Sequence, residues 1–132
     1  MIFVDTSAVV AMLAHEPEEQ TFAEALARDH EVITAGHVIL ESAMRLSSLF
    51  DLPPTAVDRR IRALLRQTST SVVPITEHIA HLAVETFERY GKGRHKAGLN
   101  FGDCLSYACA KAHGARLLFK GADFAQTDIA RA

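Results

Sequence analysis

Tryptophan is absent from this 132-residue chain, cysteine occurs only twice, and aromatic residues make up 7% of it. That scarcity excludes a disulfide framework. Cys104 and Cys109 stand five positions apart in one helical stretch, so their side chains diverge and cannot bridge each other. They read as small core residues of a reducing compartment. No apolar run approaches the roughly 18 residues needed to cross a bilayer, and Met1-Ile2-Phe3-Val4-Asp5 lacks the basic flank and apolar segment of a secretion signal. A soluble cytoplasmic protein with no membrane partner is the expectation. Excess positive charge is missing too: the formal net charge is −2, so chemistry on nucleic acid must come from metal ions and local basic patches. Neither a Gly-x-x-x-x-Gly-Lys phosphate loop nor a Gly-x-Ser-x-Gly elbow is present, which removes NTPase and serine-hydrolase chemistry.

What is present is the composition of an ordinary globular protein, 48% hydrophobic and 23% charged, with no internal repeat. Residues 1–132 are read as a single domain. Ile2-Phe3-Val4 is a short strand, Asp5-Thr6-Ser7 are helix-capping types, and Ala8 to Leu13 has helical composition. Pro17 can start a second helix reaching about Arg28, and Val32-Ile33-Thr34 is a second strand. His37 to Phe50 carries a buried helical stripe of Ile39, Ala43, Leu46 and Phe50. After Pro53-Pro54, Thr55 to Gln67 buries Val57, Ile61, Leu64 and Leu65 and keeps an arginine-rich face in water. Val72-Val73-Pro74-Ile75 is a third strand, put near an edge by its proline. Thr76 caps a further helix that Gly91 ends, Gly91 to Asn100 is an exposed basic loop, Gly102 to His113 is helical, and Leu117-Leu118-Phe119 is a fourth strand. Short apolar strands alternating with helices define an α/β class: a mostly parallel central sheet of four or five short strands, flanked by helices on both faces. Its ligand site belongs beyond the carboxyl ends of the strands, near a topological switch point.

Two carboxylates, Asp5 and Asp123, follow strands, and two, Glu41 and Asp103, sit near helix starts. Each has a plain structural reading: a helix cap for Asp5, a turn for Asp123, a favourable helix-dipole position for Asp103, and an exposed ion pair with Arg45 for Glu41. Together they can converge on one edge of the sheet. Such a cluster repels itself unless protons or hard cations neutralise it, and thiolate-free oxygen donors favour Mg²⁺, with Mn²⁺ as its substitute. A cation so held activates water and stabilises a departing phosphodiester oxygen. His78 and His81, with Glu85, lack a third convincing ligand for zinc.

Three stretches resemble the VapC toxins of the PIN-domain superfamily: Ile2-Phe3-Val4-Asp5-Thr6-Ser7-Ala8, Leu99-Asn100-Phe101-Gly102-Asp103-Cys104, and Leu117-Leu118-Phe119-Lys120-Gly121-Ala122-Asp123-Phe124 with Gln126-Thr127-Asp128-Ile129. The resemblance implies a PIN-type fold over nearly the whole chain and a Mg²⁺-dependent endoribonuclease, the toxin of a type II toxin–antitoxin system. It implies Asp5, Glu41, Asp103 and Asp123 as metal-binding and catalytic residues, with Asp128 able to replace or support Asp123. Thr6, Ser7 and Asn100 would support the ligands from behind, and Arg94, His95 and Lys96 are candidates for contacts to RNA. A VapB-type antitoxin and a second copy of the chain are the implied protein partners.

Two other readings compete. A receiver-like signalling domain also joins a small parallel fold to magnesium-binding aspartates and a late lysine such as Lys120, but it needs paired acids near the first strand, which this chain lacks. A PIN-like module without catalysis would only bind RNA or protein, yet no required acidic position is absent.

Overall fold

No residue of the first two strands is exposed: β1 (Ile2–Val4) and β2 (Val32–Ala35) are buried along their whole length. Because successive side chains of a strand point to opposite faces, complete burial requires cover on both sides. In the computed structural model, which describes residues 1–132, six helices supply it: α1 (Thr6–Leu13), α2 (Glu19–Arg28), α3 (Gly36–Phe50), α4 (Pro54–Gln67), α5 (Glu77–Tyr90) and α6 (Phe101–Ala112). With β3 (Ser71–Val73) and β4 (Arg116–Leu118), the strands form one sheet in the order β3-β2-β1-β4. Every pairing in it is parallel. The expected α/β architecture is therefore present, with four strands.

The topology fixes where chemistry can occur. From β1 the chain builds outward through β2 to β3, then returns to lay β4 on the other side of β1. The order reverses at β1, so a crevice opens between the carboxyl ends of β1 and β4. Thr34 ties the neighbouring strand into place through its hydroxyl, which donates to Val4 O at 2.9 Å. One group of helices packs α1 against α2, α3 and α4; α5 packs on α6, which lies over β1, β2 and β4 and also meets α3. Since α6 is covered from several directions, Gly102, Cys104, Ser106, Tyr107, Ala108, Cys109 and Ala110 are all buried. Both cysteines are free thiols in that core.

The third strand is an edge strand, half-open to solvent with Val72 50% exposed, and it stops before Pro74, whose missing N–H cannot extend a ladder. Beyond β4 the chain makes a 3-10 turn at Phe124–Gln126 that has no signature in the sequence pattern. It then returns to β4, where Leu117 N donates to Ala130 O at 2.8 Å and Ala132 N to Leu117 O at 2.9 Å. Asp128 pins this returning tail to α6 by accepting from the Tyr107 hydroxyl and, at 3.2 Å, from Lys111 Nζ. Burial pushes the Tyr107 hydroxyl up, and the same bond holds the Asp128 carboxyl below its ordinary value.

Asp128→Ala removes the acceptor of the Tyr107 hydroxyl and the partner of Lys111 at a half-exposed position, which costs about 1 kcal/mol. Thermal unfolding is expected several degrees lower than in the unaltered protein, with the helical content at 20 °C or so unchanged by circular dichroism.

Candidate active site

At the crevice between β1 and β4 lies a cavity of about 370 Å³ whose walls are almost entirely polar. Asp5, Thr6, Ser7, Glu16, Glu41, Arg45, Asn100, Asp103, Lys120 and Asp123 line it, and Val10 and Phe124 are its only apolar neighbours. All four acids read from the sequence thus face one space.

Asp5 leaves β1 in an extended conformation and caps α1, its Oδ2 accepting from Ser7 N at 3.0 Å and from Ser7 Oγ at 2.6 Å. The same Ser7 Oγ accepts from Lys120 N at 3.0 Å, so one hydroxyl holds the Asp5 carboxylate and fastens the ends of β1 and β4 together. Asp103 is fixed by a reciprocal cap: Asn100 N donates to its Oδ2 at 3.0 Å, and its own N donates to Asn100 Oδ1 at 2.9 Å. Asp123 lies exposed just past β4 with no side-chain capping bond.

Glu41 reaches the cavity from the second turn of α3, and its carboxylate occupies the space that a side chain at residue 102 would fill. A Cβ at Gly102 would stand 1.9 Å from Glu41 Oε1, far inside any tolerable contact. This explains the small residue in Asn100-Phe101-Gly102-Asp103: it admits a carboxylate from α3 against the start of α6. The structural alternative for Glu41, an ion pair with Arg45, is not formed. Glu24–Arg28 and Asp58–Arg62, with the same four-residue spacing, do pair, at 3.2 and 2.9 Å.

The electrostatics follow from this crowding. Burial, then the charges of Asp5 and Asp103, raise the Glu41 carboxyl above its ordinary value. Burial likewise pushes Asp103 up to about 6, helped by Asp5 and Asp123 and opposed by the Asn100 backbone bond and by Arg45. Carboxyls that hold protons this firmly are short of a positive partner. No three His, Cys, Asp or Glu side chains close tightly enough to enclose an ion by direct bonds alone. The oxygen-only donor set and its spread therefore fit a hard cation that keeps part of its water shell, as Mg²⁺ does. Thr6 also lines the cavity, but it is only 4% exposed and its Oγ1, which has no hydrogen-bond partner, is itself shielded from the open space.

Asp128 is a correction. It lies outside this cavity, paired with Tyr107 and Lys111, so it neither replaces nor supports Asp123 there. Arg94, His95 and Lys96 also lie off its walls. Arg94 sits over the Phe87 ring at 5.4 Å, and His95 packs edge-on to Tyr90 at 5.1 Å while its Nδ1 accepts from Ala97 N at 3.0 Å. His95 is thus an internal strut of the loop. Three lining residues escaped the sequence reading. Lys120 is signalled by its place directly after β4, matching that of Asp5 after β1, and Arg45 by its place one turn beyond Glu41. Glu16, in the turn after α1, has no local signal; Lys120 Nζ bonds it and lies 3.1 Å from Glu18 Oε2.

The raised Asp103 carboxyl has a definite consequence for stability. Its folded value, about 6, exceeds its unfolded value near 3.8. The folded state therefore binds more protons between those limits, and stability falls as pH rises through that window, the full loss being in place above about 6. Asp103→Asn keeps an acceptor for Asn100 N and removes the charge. It is expected to melt higher than the unaltered protein at pH 7–8 in a chelator and close to it at pH 4, as calorimetric scans would register.

Comparison with known proteins accords with this geometry. The model of the family described as PIN domain matches residues 2–130. Ribonuclease VapC30 of Mycobacterium tuberculosis is 42% identical over 127 residues, covering 96% of this chain and 95% of that protein. Among solved structures, Mycobacterium tuberculosis VapC20, a Sarcin-Ricin loop cleaving toxin, superposes with a TM-score of 0.78 at 23% identity, covering 100% of this chain and 98% of that one. VapBC2 of Rickettsia felis, bound to a DNA fragment from their promoter, gives a TM-score of 0.71 at 16% identity over 100% and 98% of the two chains. A family match over almost every residue and a relative alike along its full length lead to one conclusion: the chain belongs to the PIN-domain family, as a member of its VapC ribonuclease branch.

Proposed function

We propose that this chain is the toxin of a type II toxin–antitoxin pair, a divalent-cation-dependent endoribonuclease built as a single PIN domain over residues 1–132. The observation that carries the reading is the meeting of Asp5, Glu41, Asp103 and Asp123 on one oxygen-lined cavity at the switch point of a parallel sheet. Kinship with ribonucleases such as VapC30 supplies the reaction class.

Asp5, Glu41 and Asp103 would hold Mg²⁺ or Mn²⁺, with Asp123 completing the set from the exposed side and water filling the rest of the shell. When bound, the cation supplies positive charge to a phosphoryl oxygen and favours ionisation of water near it. The protein's own groups prepare that chemistry. Ser7 and Asn100 fix the Asp5 and Asp103 carboxylates; Asp103 surrenders the proton it holds up to about pH 6 as positive charge arrives. Arg94 and Lys96, both exposed, are placed for backbone contacts further along the RNA.

A VapB-type antitoxin is the protein partner, in keeping with the likeness to VapBC2. A homodimer is supported by exposed apolar side chains: Val84 on α5 and Phe101 at the start of α6, each more than 60% exposed, border one apolar hollow with Ile75 and Phe87, and Leu40 and Met44 on α3 are exposed to a similar degree. The receiver reading loses its footing because Asp103 opens a helix, where a strand end is required, and because Lys120 is already bound to Glu16 and Glu18. A module that only binds is opposed by the filled acidic set.

The deciding experiment expresses the unaltered protein and Asp5→Asn, scoring growth arrest and newly formed RNA 5′ ends across the transcriptome. Arrest and discrete new ends are expected only with Asp5 intact; identical behaviour would reject Asp5 as a cation ligand, and RNA left whole in Mn²⁺ across many candidates would favour the binding module. Gly102→Ala, which forces Glu41 aside, is expected to weaken Mn²⁺ binding about tenfold or more in calorimetric titration while the circular dichroism spectrum is preserved. In the unaltered protein, Mn²⁺ affinity should rise with pH up to about 6, the range over which Asp103 releases its proton.

A further inference from the structure

Two cations border the acidic cavity, and the fold commits only one of them. The Lys120 ammonium is taken up by Glu16 and Glu18. Arg45 faces the same space from α3 and is joined to no carboxylate. Reach does not explain this, since Arg28 and Arg62 close on acids four residues before them and Arg116 closes on Asp29 at 3.1 Å. Glu41 is instead turned toward Gly102 and α6, which leaves the guanidinium of Arg45 without the partner its helix would otherwise provide. Its charge is still felt at Glu41 and Asp103.

An RNA strand brings negative charge to a cavity already crowded with carboxylates, and that approach requires a positive group that is not already neutralised. A guanidinium presents a planar fork that matches two phosphate oxygens, which an ammonium cannot do. The geometry points to Arg45 as the residue that grips a backbone phosphate of the RNA strand at this cavity. The inference rests on the ribonuclease reading and adds a specific contact to it. Arg45 then acts on the substrate, and its effect differs from that of a counter-charge whose only task is to relieve repulsion among the acids.

The test uses a fluorescein-labelled RNA hairpin bound to Asp5→Asn protein in Mg²⁺, with Arg45 present or replaced. Arg45→Gln is expected to lower affinity about tenfold at 0.1 M salt and to reduce the slope of log affinity against log salt by about one. Arg45→Lys should restore the slope and only part of the affinity. With Asp5 intact, Arg45→Gln should raise KM for RNA, while its Mn²⁺ affinity without RNA is not reduced. Unaltered slope and affinity in Arg45→Gln, beside normal cleavage by the unaltered protein, would overturn the assignment of Arg45 alone. Absence of RNA binding with Arg45 in place, together with absence of any divalent-dependent cleavage, would overturn the ribonuclease reading and this contact with it.

Discussion

Repulsion among carboxylates held at one end of a parallel sheet is the constraint around which this molecule is arranged. Asp5 and Asp123 come from chain segments leaving β1 and β4, while Glu41 and Asp103 come from α3 and α6. Left in bulk water, these groups would stay apart. Here the backbone overrides that preference: buried strands set the floor, and helix starts aim the acids inward. Burial first, and the neighbouring negative charges after it, raise the proton affinities of Glu41 and Asp103. The repulsion is relieved by whatever brings positive charge, which is why the cavity favours a hard cation on physical grounds before any relative is considered.

Resisting the repulsion takes specific fastenings. Ser7 uses a single hydroxyl to bind Asp5 as donor and the Lys120 amide as acceptor, so the group that holds the Asp5 carboxylate also ties the end of β1 to that of β4. Asn100 does the corresponding work for Asp103 through the reciprocal cap. The tail is anchored far from this region, by Asp128 on Tyr107 and Lys111. Two acidic positions five residues apart in sequence thus part ways, Asp123 lining the cavity and Asp128 holding the tail.

Much of this was legible before any coordinates. Apolar strands of three or four residues between amphipathic helices gave the parallel α/β class, and Pro74 marked β3 as an edge. For Asp5 and Asp103, capping and cavity lining looked like rival explanations; in the fold they coincide, because the cap bonds are what hold each carboxylate in place. The sequence failed where three-dimensional return paths decide. Asp128 follows Asp123 so closely that either could have served, yet the 3-10 turn at Phe124–Gln126 carries it away to α6. Glu16 gave no usable signal, and the spacing of Glu41 and Arg45 suggested an ion pair that is not formed, since partners distant in the chain determine whether a charged side chain is paired or left open. His95 looked like an RNA contact by composition but is spent on Tyr90 and the Ala97 amide.

The missing methyl at Gly102 ties the histories of two helices together. Space at that point is shared between residue 102 and the carboxylate of residue 41, so a change at either alters what the other can be. An acid shortened by one methylene at position 41 would withdraw from α6 and make room for alanine at 102, whereas alanine at 102 alone pushes the longer carboxylate out of its present place. Across the lineage of such proteins, these two sites should drift as a covarying pair rather than independently.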